Sequence, residues 1–252
     1  MADFLGLRAT ASIFAALTLA AIPAAFRSLP RGRDHEPGRR PAHGLRACLS
    51  DGSVILVLLT GLLFSLVYSG VFSSALSRLI EAHYGKTVSL FGLALGAASI
   101  GGVLQALRWA WEPLVAPRVG RLSDGRSGRS PVLIAALAGS AILFALVPVR
   151  LPAMLWLGLV IAVLFTATVT GTVSDALACD VAFGSGQRML MAAYTFAVDL
   201  GAAVGPLVAY AADGIWGPFT VYWFISGTML LSAAGWYAGR GFGLNSAGRS
   251  RG

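Results

Sequence analysis

Long apolar runs, broken by short blocks of arginine, glycine and proline, set the rhythm of this 252-residue chain. A helix of about 20 apolar residues crosses roughly 30 Å of hydrocarbon. Seven runs come near that length: Phe4–Phe26, Val54–Leu76, Val88–Val115, Pro131–Pro148, Ala153–Val173, Met189–Ala212 and Pro218–Ala238. The fourth is short. The third is long, which puts its end, Trp109–Val115, in an interface. All seven read as helices, because the free edge of a sheet has no partner in lipid. The pattern predicts an all-α, polytopic transmembrane bundle of about seven spans. A first helix occupies 1–27, a basic linker 28–53, a six-helix bundle 54–240 and a disordered tail 241–252.

Composition supports this. Apolar residues make up 56% of the chain and charged ones only 12%, too few to cover a soluble domain of this length. The net charge of +8 sits in blocks between the apolar runs, which points to anchors at the membrane surface and away from nucleic acid. Six arginines follow the first run (Arg27, Arg31, Arg33, Arg39, Arg40, Arg46). Arg118, Arg121, Arg126, Arg129, Arg188, Arg240, Arg249 and Arg251 would share their side, against Arg8, Arg78, Lys86 and Arg150 opposite. That asymmetry predicts the N-terminus outside and the C-terminus in the cytoplasm. The same placement argues against a cleaved signal peptide, whose positive charge precedes its apolar stretch. Tyr84, Trp156 and Trp216 at outer ends, and Trp109, Trp111, Trp236 and Tyr237 at inner ends, fit interfacial belts. Cys48 and Cys179 are far apart and no His/Cys cluster exists, so neither a disulfide framework nor a metal site nor a cofactor is expected.

One stretch departs from the apolar pattern: GRLSDGRSGRS, from Gly120 to Ser130. Arginines hold such a turn on the cytoplasmic side and glycines permit the reversal. Asp124 is not required by either role. A carboxylate there can accept from guanidinium groups and from the free N–H groups of a helix start, making a latch that forms in one conformation and breaks in another. Gly120, Asp124, Arg126, Gly128 and Arg129 resemble the cytoplasmic loop signature of the major facilitator superfamily, in its looser second copy, with one extra residue before Gly128 and Ser130 in place of a basic residue. The resemblance implies that the chain covers that superfamily's sixth to twelfth helices. It also implies a secondary transporter of a small solute, incomplete without an N-terminal half or a partner chain. Asp199-Leu-Gly201-Ala-Ala-Val-Gly205-Pro206 is similar to a pattern found in many of its exporters. In physical terms, Gly201 and Gly205 form a face for close helix contact and Pro206 permits a bend. Gly92/Gly96 and Gly235/Gly239 repeat the same small-residue spacing.

Four polar residues within the spans are candidates for coupling or for a pathway. Asp199 lies about 15 Å into its run, near mid-bilayer. There it either couples to protons or makes a structural hydrogen bond, for instance with Tyr194. Arg108 and Glu112 are four apart on one helix face and can pair with each other, or line a cavity. Gln105, with Thr168 and Thr170, could face a pathway. Asp175, Asp180 and Arg188 flank the turn between the fifth and sixth spans and read as a solvated turn, although Asp175 could also meet Arg118 or Arg121; His83 reads as an exposed loop residue.

Two other functions were weighed. Asp124-Gly-Arg-Ser-Gly-Arg129 superficially matches a phosphatidyltransferase motif, but no acidic residue occurs from Gly125 to Ser174 to hold the metals, so no enzyme is expected. The remaining alternative is a bundle that transports nothing: a truncated fragment, or an interaction partner of another membrane protein.

Overall fold

The computed structural model describes residues 12, 16, 19, 52–90, 93–125, 128–185 and 187–241. The chain divides into two units, 1–41 and 42–252. In the first, Ser12, Ala16 and Leu19 are helical and exposed. The rest of the predicted first span, nearly all of the basic linker and the tail lie outside the described residues.

In the second unit the described residues form six long helices. The first is continuous from Gly52 to Tyr84 and has three parts: α1 (Gly52–Phe64), a π-helical segment (Ser65–Phe72) and α2 (Ser73–Tyr84). A hairpin follows, with β1 (Thr87–Leu90) antiparallel to β2 (Leu93–Gly96), Thr87 opposite Gly96 and Leu90 opposite Leu93. Then come α3 (Ala97–Ser123), α4 (Arg129–Leu146), α5 (Ala153–Ser185), α6 (Gln187–Trp216) and α7 (Thr220–Gly241). The helices run antiparallel in turn. One end gathers His83, Val147, Trp156 and Phe219, and the other Asp124, Arg129 and Asp180.

Gly52–Tyr84, Arg129–Leu146, Ala153–Ala182 and Met189–Trp216 are each long and apolar enough to cross a membrane. The chain is thus an integral membrane protein with an all-α bundle, although these four are fewer than the seven spans predicted. Most of the first predicted span lies outside the described residues, and the other two fall short in α3 and α7 for a physical reason. Arg108, Glu112, Arg118 and Arg121 interrupt α3, which also carries Pro113 and Pro117, while Thr, Ser, Gly, Trp and Tyr dilute α7. The third predicted span is corrected at its start as well. Thr87–Gly96 is a hairpin, and the helix begins only at Ala97, whose N–H donates to the Lys86 carbonyl at 3.1 Å. Gly92 and Gly96 disfavour a helix where β-branched Thr87 and Val88 suit a strand. Gly96 of the Gly92/Gly96 pair thus lies in β2, and Gly92 lies outside the described residues.

Packing follows from where side chains are missing. A Cβ on Gly70 of the π segment would lie 2.5 Å from the Gly205 Cα, and one on Gly201 would meet the Leu62 carbonyl. Removing these side chains lets α6 lie backbone to backbone on the first helix, the closest approach such helices make. The π segment lies at this contact and carries Tyr68, which is 1% exposed, into the core. Phe72, Phe144 and Tyr222 extend an aromatic cluster across the π segment, α4 and α7, with Phe72 and Phe144 edge to face at 5.6 Å.

Candidate functional site

Charged and polar groups concentrate in two places. The first is the turn between α3 and α4. The Ser123 hydroxyl donates to the Gly120 carbonyl at 2.8 Å and the Asp124 N–H to the same carbonyl at 2.9 Å, closing α3. Gly128 has a φ of 74°, which suits glycine, and its N–H donates to the Gly125 carbonyl at 3.0 Å. The turn delivers Arg129 to the start of α4. Its Nε and one terminal nitrogen donate to a single Asp124 oxygen at 2.9 and 2.7 Å. The other terminal nitrogen reaches the Asp180 carboxylate and the Ala176 carbonyl, both at 2.7 Å. Arg129 thereby clasps the turn to the end of α5. Arg126 lies outside the described residues, and Gly120 has open space where a Cβ would be.

The end of α5 also corrects two expectations. Asp175 and Asp180 lie on the helix itself, which continues beyond Val173 to Ser185, and not on a turn. Asp175 accepts from the Tyr194 hydroxyl at 2.8 Å and meets neither Arg118 nor Arg121, which donate to the Leu114 and Pro117 carbonyls of their own helix. Tyr194 is therefore taken by Asp175 and not by Asp199. Asp199 itself is exposed near the middle of α6, on one face with Thr195 and Pro206.

The second place lies inside the bundle. Arg108 is the twelfth residue of α3, about 17 Å from its start and close to its middle. The helix runs on past Trp109–Val115 to Ser123. Arg108 is 8% exposed, and its Nε has no hydrogen-bond partner. One turn on, Glu112 has a buried Oε2 that likewise accepts from nothing. The Arg108–Glu112 ion pair expected from their spacing is not among the ion pairs of the described residues. Instead Arg108 stacks near the exposed Trp109, 5.4 Å from the ring centroid. Across from α3, the Tyr68 hydroxyl donates to Ser140 at 2.6 Å and lies 3.1 Å from the Thr166 hydroxyl. Thr170 lies beside the same hydroxyl, and Arg108 is within electrostatic range of it. Thr170 and Ser174 are buried with hydroxyls that lack partners, while Trp111 donates to Thr168 at 3.2 Å. Gln105 donates to Ser73 at 2.8 Å, on the exposed edge of the same helix pair.

Sequence reasoning missed several of these residues. Tyr68, Ser140 and Thr166 were passed over, although a tyrosine amid a largely apolar run was a usable signal. His83 proves to be half-buried, 3.0 Å from the Val147 carbonyl and packed against Trp156 and Phe219. Trp156 is fully buried and donates to the same carbonyl, so it is not part of an interfacial belt. Trp236 is likewise buried, donating to Thr60 at 2.8 Å. Arg78 bonds Asp213 at 2.5 Å beside a cavity of about 20 Å³, room for a single water. Among the described residues no three His, Cys, Asp or Glu gather as a metal site, and Cys179 is free and exposed.

Compared with known proteins, the chain matches no family model, and no curated protein matches it.

Proposed function

We propose that the chain is one bundle of a secondary transporter of the major facilitator type, moving a small solute by alternating access across the cell's plasma membrane. The observation that carries this proposal is the Arg129 clasp. It is a compact set of exposed charged contacts, joining a helix turn to a neighbouring helix end, that separates without unpacking any apolar core. The arginine-rich turn faces the cytoplasm in this reading, with the N-terminus outside. Asp199 supports a second bundle, on this chain or another. A carboxylate turned to lipid at mid-span costs about 2.5–3.5 kcal/mol on insertion scales, and a facing bundle or a water-filled cleft between bundles removes that cost. In that cleft Asp199 is the proton-coupling group.

Cys179, exposed and adjacent to Asp180, reports on the clasp directly. In a chain carrying Cys48→Ser, Asp124→Asn should speed labelling of Cys179 by a membrane-impermeant maleimide added from the cytoplasmic side. Equal labelling rates would reduce the clasp to turn chemistry. In proteoliposomes, Asp199→Asn should abolish flux driven by a pH gradient while insertion stays intact. Correct insertion with no flux of any solute would favour the alternative, a non-transporting bundle that partners another membrane protein.

A further inference from the structure

We infer that an exposed stripe of α3 binds an anionic phospholipid, with the phosphate on Arg118 and Arg121 and an acyl chain along the helix toward Val103. The inference needs only that the bundle lies in a bilayer, and it stands whether or not the chain transports a solute. Val103, Leu107, Ala110, Leu114, Arg118 and Arg121 recur at intervals of three and four residues, so they share one helix face. All six are exposed, and no other described element covers them. The packed side of α3 is carried by other residues, among them Leu104, Arg108 and Val119. Along the stripe the chemistry changes once, from four apolar residues to two cations, as it does along a phospholipid. Leu107 and Arg118 are about 16 Å apart along the helix, close to the depth of one hydrocarbon leaflet.

The two guanidinium groups have N–H groups to spare. Arg118 donates through one terminal nitrogen to the Leu114 carbonyl at 2.6 Å, and Arg121 through Nε to the Pro117 carbonyl at 3.4 Å. Both side chains therefore reach back one turn toward the apolar residues. Neither is in an ion pair among the described residues. Asp124, three residues beyond Arg121, is taken by Arg129. Two uncompensated cations at the end of an apolar lane fit an amphiphile with an anionic head. A soluble anion would satisfy the arginines and make no use of the lane. Phosphatidylcholine brings a phosphate together with its own cation, whereas a lipid of net negative charge is drawn to each arginine, and guanidinium forks grip phosphate oxygens in pairs. In the orientation proposed above, this lipid belongs to the inner leaflet.

The test counts the lipids that stay on the protein. The full chain is placed in nanodiscs of mixed phosphatidylcholine and phosphatidylglycerol, released, and weighed by native mass spectrometry. Wild type should retain phosphatidylglycerol over phosphatidylcholine by about ten-fold. Arg118→Gln combined with Arg121→Gln should cut that preference by about five-fold or more. Lys86→Gln combined with Arg150→Gln removes the same charge from the opposite end of the bundle and should change it by less than about two-fold. Either single arginine variant, with about a three-fold loss, decides the matter if the pair does not insert. Glycerophosphoglycerol, which is the headgroup without its chains, and inorganic phosphate should not displace the lipid. Equal retention of the two lipids by wild type, or an undiminished preference without Arg118 and Arg121, would overturn the site. Equal losses from the two double variants would reduce it to net charge, and displacement by phosphate or the bare headgroup would make it an anion site in water; either result also defeats the inference.

Discussion

Two arginines in this protein have opposite circumstances. Arg129, at the α3–α4 turn, is partly exposed and has every arm of its guanidinium on an oxygen: Asp124, Asp180 and the Ala176 carbonyl. Arg108, in the middle of α3, is buried; its Nε has no hydrogen-bond partner, and among the described residues it meets Glu112 only at longer range, beyond an ion pair. Water and nearby carboxylates make the first arrangement cheap and mildly stabilising. Burial without a partner makes the second costly to the fold. A charge that helps stability needs no other reason to be there, while a charge that harms it points to a task outside folding.

The largest effect that would break this comparison comes from the scaffold both regions share. Gly205→Leu should drive a side chain into the Gly70 backbone and separate α6 from the π segment. We expect a loss of about 3 kcal/mol or more, seen as a large fall in the thermal midpoint in detergent. A midpoint within a degree of wild type would mean that the two backbones do not touch. Next in size is Arg108→Met, which keeps volume and removes the unpaired charge. It should stabilise the bundle by about 1–3 kcal/mol, measured by the same melt. Arg129→Gln should act in the other direction, lowering stability by about 1 kcal/mol, because it strips several contacts from one exposed network. The smallest effect belongs to Asp180→Asn, about 0.5 kcal/mol or less, since that carboxylate is half exposed and Arg129 retains Asp124. Its signature should be faster maleimide labelling of Cys179 with hardly any change in the melt.

The sequence made the bundle legible wherever a run was both long and uniform. Gly52–Tyr84 and Met189–Trp216 lie where the apolar pattern put them, each running on past the predicted C-terminal end, Leu76 and Ala212. Thr87–Gly96 was misread because a short apolar stretch suits a strand as well as a helix, and only its two glycines distinguish the cases. Arg129 and Asp124 stood out by composition, since a carboxylate within an arginine-rich turn has obvious partners. Asp180 did not, because α5 runs twelve residues past the point where its apolar run ends at Val173. Spacing of four allowed an Arg108–Glu112 pair without forcing one, and the two charges meet at longer range than an ion pair. His83 and Trp156 looked interfacial as single residues. They are buried because each satisfies its polar atom on the Val147 carbonyl, a contact between distant segments.

The contrast between the two arginines is tested most directly by melting Arg108→Met and Arg129→Met side by side with the wild type, in identical nanodiscs. The account predicts shifts of opposite sign, upward for Arg108→Met and downward for Arg129→Met. A downward shift for Arg108→Met as large as that for Arg129→Met would show that Arg108 is held by partners like any structural charge, and would contradict it.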